Sequence, residues 1–257
     1  MPKWLCVNPE NFEGQIKMIS ENFNVIGFKD ISTTTSIKNR LIITFDDGFR
    51  DNYDNAFKIL NKYGVKATYF INPSTLAGQS LWIHKIYAAA FLGSIEDLVK
   101  KLGISGDLPT VKEVIEFLKR NCTYPEVEQK LGNLGNIKVP AIYFNKVQII
   151  EMINGGMSFE NHGTSHFPLT NGVDLNEEVA ADDLLEKITG KKPEVFAYPF
   201  GNPESFDKRT NEFLLNKYSY ICTTIPQINY SGTRVMGRVC SYEMKPEKLY
   251  LKLVLGY

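Results

Sequence analysis

Residues 41–71, LIITFDDGFRDNYDNAFKILNKYGVKATYFI, contain two short apolar runs separated by an amphipathic segment. The first run, residues 41–45, is typical of a strand covered on both faces, and residues 65–71 predict a second strand. Between them, apolar side chains recur at helical spacing and Gly64 provides a helix stop. A strand, a helix and a strand within about 30 residues form a βαβ unit, which predicts a parallel sheet with a right-handed crossover.

The rest of the chain extends this alternation. Asn8 and Pro9 form a helix start, so we predict a helix over about residues 9–22. A helical pattern over residues 81–133 is interpreted as an insertion at about residues 77–140, because strands and helices alternate again after it. The later predicted elements are a helix at 146–154, a strand at 157–161, a helix at about 174–188, a strand at 194–199, a helix at 207–217 and strands near 218–224 and 233–240. The sequence thus predicts a single α/β domain over residues 1–257.

The composition excludes some classes of protein. Hydrophobic residues make up 43% and charged residues 23% of the 257 residues, as in ordinary globular proteins. The formal net charge is zero, so no overall field favours a nucleic-acid partner. The sequence has neither a secretion signal nor an apolar stretch of membrane-spanning length, so we expect a cytoplasmic protein or one at the inner face of the membrane. The cysteines are widely separated, which favours free thiols over a zinc or redox motif.

Two acidic residues, Asp46 and Asp47, follow the first predicted strand, and two of the three histidines, His162 and His166, follow a later one. If both strands belong to one parallel sheet, both histidines and one aspartate can converge on a single cation at its carboxyl edge. That set is typical of an open catalytic metal site, and the second aspartate would then serve as a general base. The cation would also offset the repulsion between the two carboxylates. The residues alone do not say which aspartate has which role.

Three motifs occur in order: TFDDGF at residues 44–49, H-x-x-x-H at 162–166 and AYPFG at 197–201. Together they resemble the polysaccharide deacetylase family of carbohydrate esterases, in particular the branch with a YPFG motif. The resemblance runs from about residue 8 to the region of Arg238. It is greatest to cytoplasmic members that act in the biosynthesis of surface polysaccharide, such as the O-antigen of lipopolysaccharide.

The resemblance implies a distorted (β/α) barrel, usually with fewer than eight complete strands, and a hydrolase that removes the N-acetyl group of an amino sugar. It implies that Asp47, His162 and His166 bind a divalent metal ion and that Asp46 is the catalytic base. By position, the backbone N–H of Phe200 would stabilise the oxyanion. Zinc is the expected metal, although cobalt, nickel and manganese suit the same ligands.

The sequence departs from the family pattern at three points. The family usually has Ser or Thr after the first histidine, whereas Gly163 stands here, so Thr164 or Ser165 would have to take over its role. Ala197 occupies the position of an arginine that often pairs with the base, and we expect Arg238 to replace it, with Arg234 as second choice.

The third departure concerns the general acid. Many family members carry a late histidine in that role, but this chain has none after residue 166. The remaining histidine, His84 in the insertion, is one candidate. Asp46 is the other, since a base that has taken a proton from water can return it to the leaving nitrogen.

The expected substrate is an N-acetylated sugar, carried as a nucleotide sugar or a lipid-linked oligosaccharide. Trp82, Tyr198 and Phe200 could form a stacking wall for a sugar ring. Pro199 would fix its loop, and Gly201 would let substrate approach the backbone.

Four other functions use related sets of residues. An aspartyl-phosphate phosphatase needs Asp-x-Asp, and a glycosidase needs carboxylates about 5 to 9 Å apart, so adjacent aspartates fit neither. A non-catalytic carbohydrate- or metal-binding protein remains an alternative, although it would not need Asp46 as a base. A deformylase acting on a formamido sugar would use the same chemistry.

Overall fold

A computed structural model of the chain describes residues 7–32, 39–104, 110–135, 137, 139–170 and 172–255. Its centre is a six-stranded parallel sheet whose spatial order follows the sequence. The strands are β3 (Thr44–Phe45), β4 (Thr68–Ile71), β5 (Ser158–Asn161), β6 (Val195–Ala197), β7 (Tyr220–Cys222) and β8 (Val235–Met236). A separate parallel pair comprises β1 (Asn24–Val25) and β2 (Arg40–Leu41).

Helices connect these strands, as expected for parallel neighbours. They are α1 (Pro9–Asn22), α2 (Lys58–Lys62), α3 (Pro73–Leu76), α4 (Trp82–Leu92), α5 (Ile95–Lys101), α6 (Val111–Asn121), α7 (Tyr124–Gly132), α8 (Lys146–Asn154), α9 (Leu175–Ala180), α10 (Asp182–Thr189), α11 (Lys208–Leu215) and α12 (Pro246–Leu255). A 3₁₀ turn covers Phe28–Asp30, and a π-helical segment, Asn52–Phe57, leads into α2. None of the helices in the described residues has the length and apolar character needed to cross a membrane.

The helical insertion is confirmed, since α4 to α7 lie between β4 and β5. Its helices begin with local capping signals. The Thr110 hydroxyl accepts the backbone N–H of Glu113, whose carboxylate accepts the N–H of Thr110 in return. Trp82, Ile86 and other apolar side chains of these helices share one buried cluster with side chains of β6 and β7. The insertion therefore packs against the central sheet.

Two predicted elements are divided in the structure. The apolar run at residues 41–45 is divided between two strands that belong to different sheets. Strand β2 pairs with β1, whereas β3 pairs with β4. The sequence did not indicate this because β1 is only two residues long. The helix predicted at about 174–188 is interrupted at Ala181, where α9 ends and α10 begins. The other predicted strands exist but are shorter.

The central sheet curls so far that its two edge strands approach each other. Arg238, two residues after the end of β8, donates a 3.3 Å hydrogen bond to the hydroxyl of Thr44 in β3, the opposite edge strand. This curvature confirms the α/β class and the distorted, incomplete (β/α) barrel. It also turns the carboxyl ends of all six strands toward one shared rim.

Candidate active site

The residues singled out in the sequence lie on this rim. Asp46 and Asp47 follow β3, His162 follows β5, Phe200 lies three residues after β6, and Arg238 lies two residues after β8. Parallel strands end at the same edge, so segments distant in sequence contribute to one site.

The structure brings Asp47 and the two histidines together. Asp47 Oδ1 lies 3.0 Å from His166 Nε2 and 3.4 Å from His162 Nε2. One donor atom from each of the three residues lies within 4.8 Å of the others. The histidines are 1% and 4% exposed, whereas the Asp47 side chain is 21% exposed. The two histidines are therefore buried, and Asp47 is the member of the group that is open to solvent.

The polar atoms of this group suit a divalent metal ion. Asp47 Oδ1 is buried and receives no well-oriented hydrogen bond from the described residues, despite the nearby imidazole nitrogens. The His162 ring lies with Nδ1 2.8 Å from the carbonyl oxygen of Ala197, which requires Nδ1 to carry the proton. Nε2 of His162 is then left as a lone-pair donor facing Asp47, the tautomer a metal ligand needs. Two imidazoles and one carboxylate are a common ligand set for a catalytic ion.

Ionisation is governed by the contacts within this group. Burial raises the pKa of Asp47, but the imidazoles of His166 and His162 outweigh burial, and the net pKa lies well below the usual value for an aspartate. Burial likewise lowers the pKa of His162, but the two aspartates outweigh it, and the net pKa is raised. A divalent cation would supply positive charge at the same point without requiring protonated histidines.

Asp46 has a different environment. Arg238 donates two parallel hydrogen bonds to its carboxylate, from Nη1 to Oδ1 at 2.6 Å and from Nη2 to Oδ2 at 2.8 Å. Burial raises the pKa of Asp46, but the charges of Arg238 and His162 outweigh it and lower the net value. Arg234, the second candidate, lies elsewhere and donates to the carbonyls of Leu215, Tyr218 and Ser219.

The turn between the two histidines is held by an acidic residue that sequence reasoning missed. The buried carboxylate of Glu178 accepts the backbone N–H of Thr164 at 2.8 Å and that of Ser165 at 3.2 Å. Gly163 has a left-handed backbone, with φ of 78°, and a Cβ there would lie 2.7 Å from the Glu178 carboxylate. The Thr164 hydroxyl bonds to backbone carbonyls of α9, and the Ser165 hydroxyl accepts the N–H of Phe167. Glu178 lies in the acidic run at residues 177–183, where nothing in the sequence distinguishes it.

The buried side-chain amides of Asn72 and Asn161 also bond to the backbone of this turn. The side chain of Asn72 donates to the carbonyls of His162 and Gly163 at 2.9 and 2.8 Å. Asn161 accepts the N–H of Gly163 at 2.7 Å and donates to Asp182 at 2.6 Å. These contacts fix the backbone that carries the first histidine.

The YPFG segment presents a free backbone donor. Phe200 has a left-handed backbone, with φ of 63°, and within the described part of the chain its N–H donates no hydrogen bond. Thr224 holds the peptide that follows: its hydroxyl donates to the Phe200 carbonyl, and its N–H donates to that of Gly201, both at 2.9 Å. The Phe200 ring meets His166 edge-on at 4.9 Å between centroids, which places this segment beside the metal ligands.

His84 lies near the site on α4. Its Nδ1 is hydrogen-bonded to the phenol of Tyr143, which also accepts the backbone N–H of Leu81 at 3.1 Å. When the phenol donates its proton to His84 Nδ1, the other ring nitrogen, Nε2, carries the ring proton. Burial lowers the pKa of His84 to about 4, so the ring is neutral at pH 7. The ring also contacts Phe49, two residues after Asp47, at 5.3 Å between centroids.

The predicted sugar-stacking wall is wrong for two of its three aromatic residues. Trp82 is 1% exposed and donates its indole N–H to the His166 carbonyl, so it supports the metal loop from within. Tyr198 is fully buried and donates to Asn211. Both side chains belong to the same buried cluster as the apolar residues of the insertion. Only Phe200 is partly exposed.

The roles expected for the other two residues of the YPFG segment also need revision. Gly201 is buried, and a Cβ there would lie 2.8 Å from the backbone nitrogen of Thr224. Glycine is needed at this position because a side chain would collide with the backbone of Thr224, and not because a substrate approaches it. Pro199 is buried as well, so it can shape the loop but offers no exposed surface to a sugar.

The three cysteines in the described part of the chain are free thiols. Cys222 is fully buried, and burial raises the pKa of its thiol to about 12. Cys122 and Cys240 are also free thiols, while Cys6 lies outside the described residues.

Comparison with known sequences and structures places this geometry in a family. The family model described as polysaccharide deacetylase matches residues 33–217 of the chain. A curated relative from Bacillus subtilis, YxkH, carries a polysaccharide deacetylase name and is 29% identical over 131 residues. That match covers 49% of this chain and 42% of the relative, so the chain spans less than half of the relative's length.

Solved structures share the fold. The Streptococcus pyogenes deacetylase PplD, solved in complex with acetate, has a TM-score of 0.64 and 21% identity over 96% of this chain and 87% of its own. BC0361, a polysaccharide deacetylase from Bacillus cereus, has a TM-score of 0.68 and 21% identity over 98% of this chain and 64% of its own. At these identities the likeness establishes the fold.

Proposed function

The chain belongs to the polysaccharide deacetylase family, and from that premise we propose that it is a metal-dependent hydrolase that removes the N-acetyl group of an amino sugar. The observation that carries the proposal is the convergence of Asp47, His162 and His166 next to an aspartate held by Arg238. A binding protein needs the first three residues but has no use for a second, separately positioned carboxylate.

In this proposal Asp47, His162 and His166 would hold the ion. When bound, a divalent ion supplies a Lewis acid and makes water a stronger nucleophile near neutral pH. Zinc is the first candidate for a ligand set of one carboxylate and two imidazoles, with cobalt, nickel and manganese as alternatives.

Asp46 takes the proton of the attacking water. Its carboxylate lies 3.9 Å from His162 Nε2, close to the ion site yet paired with Arg238. Arg238 fixes the orientation of the carboxylate, because a bidentate pair leaves little freedom to rotate. As the amide carbonyl becomes tetrahedral, the free N–H of Phe200 donates to the developing oxyanion.

The leaving nitrogen receives its proton from Asp46, which gained one in the first step. His84 is a neutral imidazole at pH 7 and would be a weak acid, so its contribution is a hydrogen bond donated from Nε2 to the substrate. This assigns His84 a catalytic contact without making it the general acid.

For the substrate, we propose an N-acetylated amino sugar of a surface-polysaccharide precursor of the O-antigen type, presented as a nucleotide sugar or a lipid-linked oligosaccharide. The support is the resemblance carried by TFDDGF, H-x-x-x-H and YPFG. The proposed location is the cytoplasm or the inner face of the membrane, where such precursors are available.

The decisive experiment measures acetate release from a panel of N-acetylated nucleotide sugars and oligosaccharides. Metal-free, metal-loaded and Asp46→Asn proteins are compared, and formate release from formamido sugars is measured in parallel. The proposal requires acetate release that depends on both the metal and Asp46. Formate release alone would indicate a deformylase, and sugar binding without either product would indicate a binding protein.

A further inference from the structure

A buried lysine of the insertion lies directly behind the YPFG segment. Lys119, on α6, is 6% exposed, and its Nζ lies 4.1 Å from the centroid of the Phe200 ring. The same ammonium donates to both carboxylate oxygens of Glu116, at 3.0 and 3.2 Å. The Glu116 carboxylate offsets the cost of burying this ammonium, and the contact with the face of Phe200 adds a cation–π attraction.

Phe200 has a backbone conformation that needs support from its surroundings. Its left-handed backbone is unfavourable for a side chain with a Cβ, and such conformations persist only where the surroundings enforce them. Thr224 holds the carbonyl side of this residue through hydrogen bonds. The ring is held between Lys119 on one side and His166, edge-on at 4.9 Å, on another.

We propose that Lys119 is a positioning residue, which holds the ring of Phe200 and thereby aims the Phe200 N–H at the reacting carbonyl. The inference rests on the proposed function, since it concerns the oxyanion donor of that reaction. The helical insertion then contributes to the active site in two ways. Helix α6 provides the Lys119 ammonium beside Phe200, and α4 provides Trp82, whose indole N–H donates to the His166 carbonyl.

The kinetic test replaces Lys119 with Met, which keeps length but removes charge, and with Arg, which can also stack on an aromatic ring. Lys112→Met is the matched control, since Lys112 is exposed on the same helix. We expect Lys119→Met to lower kcat for acetate release about 5- to 20-fold with KM and metal content unchanged, as for a contact made mainly in the transition state. Lys119→Arg should recover most of the loss, and Lys112→Met should match the wild type. Equal kcat values for Lys119→Met and Lys112→Met would overturn the proposal.

A second measurement does not depend on activity. Hydrogen–deuterium exchange of peptides covering residues 196–206 should be faster in Lys119→Met than in Lys112→Met, and close to wild type in Lys119→Arg. Phe200→Leu removes the ring but leaves the Lys119–Glu116 pair, and in that background Lys119→Met should add no further acceleration. Unchanged exchange in Lys119→Met, or an equal effect with and without the ring, would refute the positioning role. If exchange behaves as expected but no substrate releases acetate, the proposed function fails while the contact stands.

Discussion

The guanidinium of Arg238 pairs with both carboxylate oxygens of Asp46, although the two residues lie 192 positions apart in the chain. The pair joins residues that follow the two edge strands of the central sheet, so the curl of the sheet brings the candidate base its cationic partner. Family members often carry the equivalent arginine two positions before the YPFG proline, where this chain has Ala197. Here the arginine that pairs with the candidate base is Arg238, which lies two residues after β8.

Replacing Arg238 should impair catalysis more than metal binding. Arg238→Lys cannot form the bidentate pair, and we expect kcat to fall by about 10-fold to 100-fold because Asp46 is no longer held in one orientation. Metal content, measured by atomic emission, should stay at the wild-type level. Arg234→Lys is the control and should leave kcat unchanged, since the Arg234 side chain, among the described residues, donates to backbone carbonyls near α11.

The two adjacent aspartates should give opposite results. Asp47→Asn should lose metal affinity by about 10-fold or more, because it removes the charged ligand. Asp46→Asn should keep the metal but lose acetate release by about 100-fold or more, because it removes the base. Metal titration and kinetics on both variants check this assignment. Metal loss in Asp46→Asn with metal retained in Asp47→Asn would reverse the roles.

Restoring the residue that the family usually has after the first histidine should be harmful here. Gly163→Ser would place a Cβ 2.7 Å from the Glu178 carboxylate in a backbone with φ of 78°. We expect the free energy of unfolding to fall by about 1–3 kcal/mol, from strain and the displaced carboxylate. Urea unfolding measures the change. A variant as stable as the wild type would show that the turn adapts without cost.

Glu178 should matter for metal affinity although it is not one of the three candidate ligands. Glu178→Gln keeps the shape but weakens the charge-assisted bonds to the N–H groups of Thr164 and Ser165. We expect the metal affinity to fall about 10-fold, as for other residues that orient ligands. Glu177→Gln is a matched neighbour with an exposed side chain and should leave affinity at the wild-type value.

His84 should contribute a pH-dependent term to stability. Burial lowers its pKa from 6.5 to about 4, so between these values the unfolded chain binds more protons than the folded one. The free energy of unfolding therefore rises with pH across that window, and the contribution is complete above the upper value. Unfolding of metal-free wild type and His84→Gln at pH 5 and pH 7 checks this. The wild type should lose more stability at pH 5 than the variant, and parallel curves would contradict the buried neutral ring.

Much of the fold could be predicted from local pattern. The βαβ unit at residues 41–71 was visible because strand and helix periodicity alternate within a short segment, and the helical insertion was visible from its amphipathic helices. The division of residues 40–45 between two sheets was not, because the pairing partner β1 is too short to leave a pattern.

For the site, the sequence by itself determined which residues could bind a metal ion: an acidic pair and a histidine pair, each directly after a strand. Tertiary structure decided how they are supported, because those contacts join distant segments. The curl of the sheet brings Arg238 into contact with Asp46. The packing of α9 places the Glu178 carboxylate where it accepts a backbone N–H of the turn between the two histidines. Amphipathic spacing shows that a helix has a buried face but not what that face touches, so Trp82 was predicted at the substrate and lies in the core, bonded to His166.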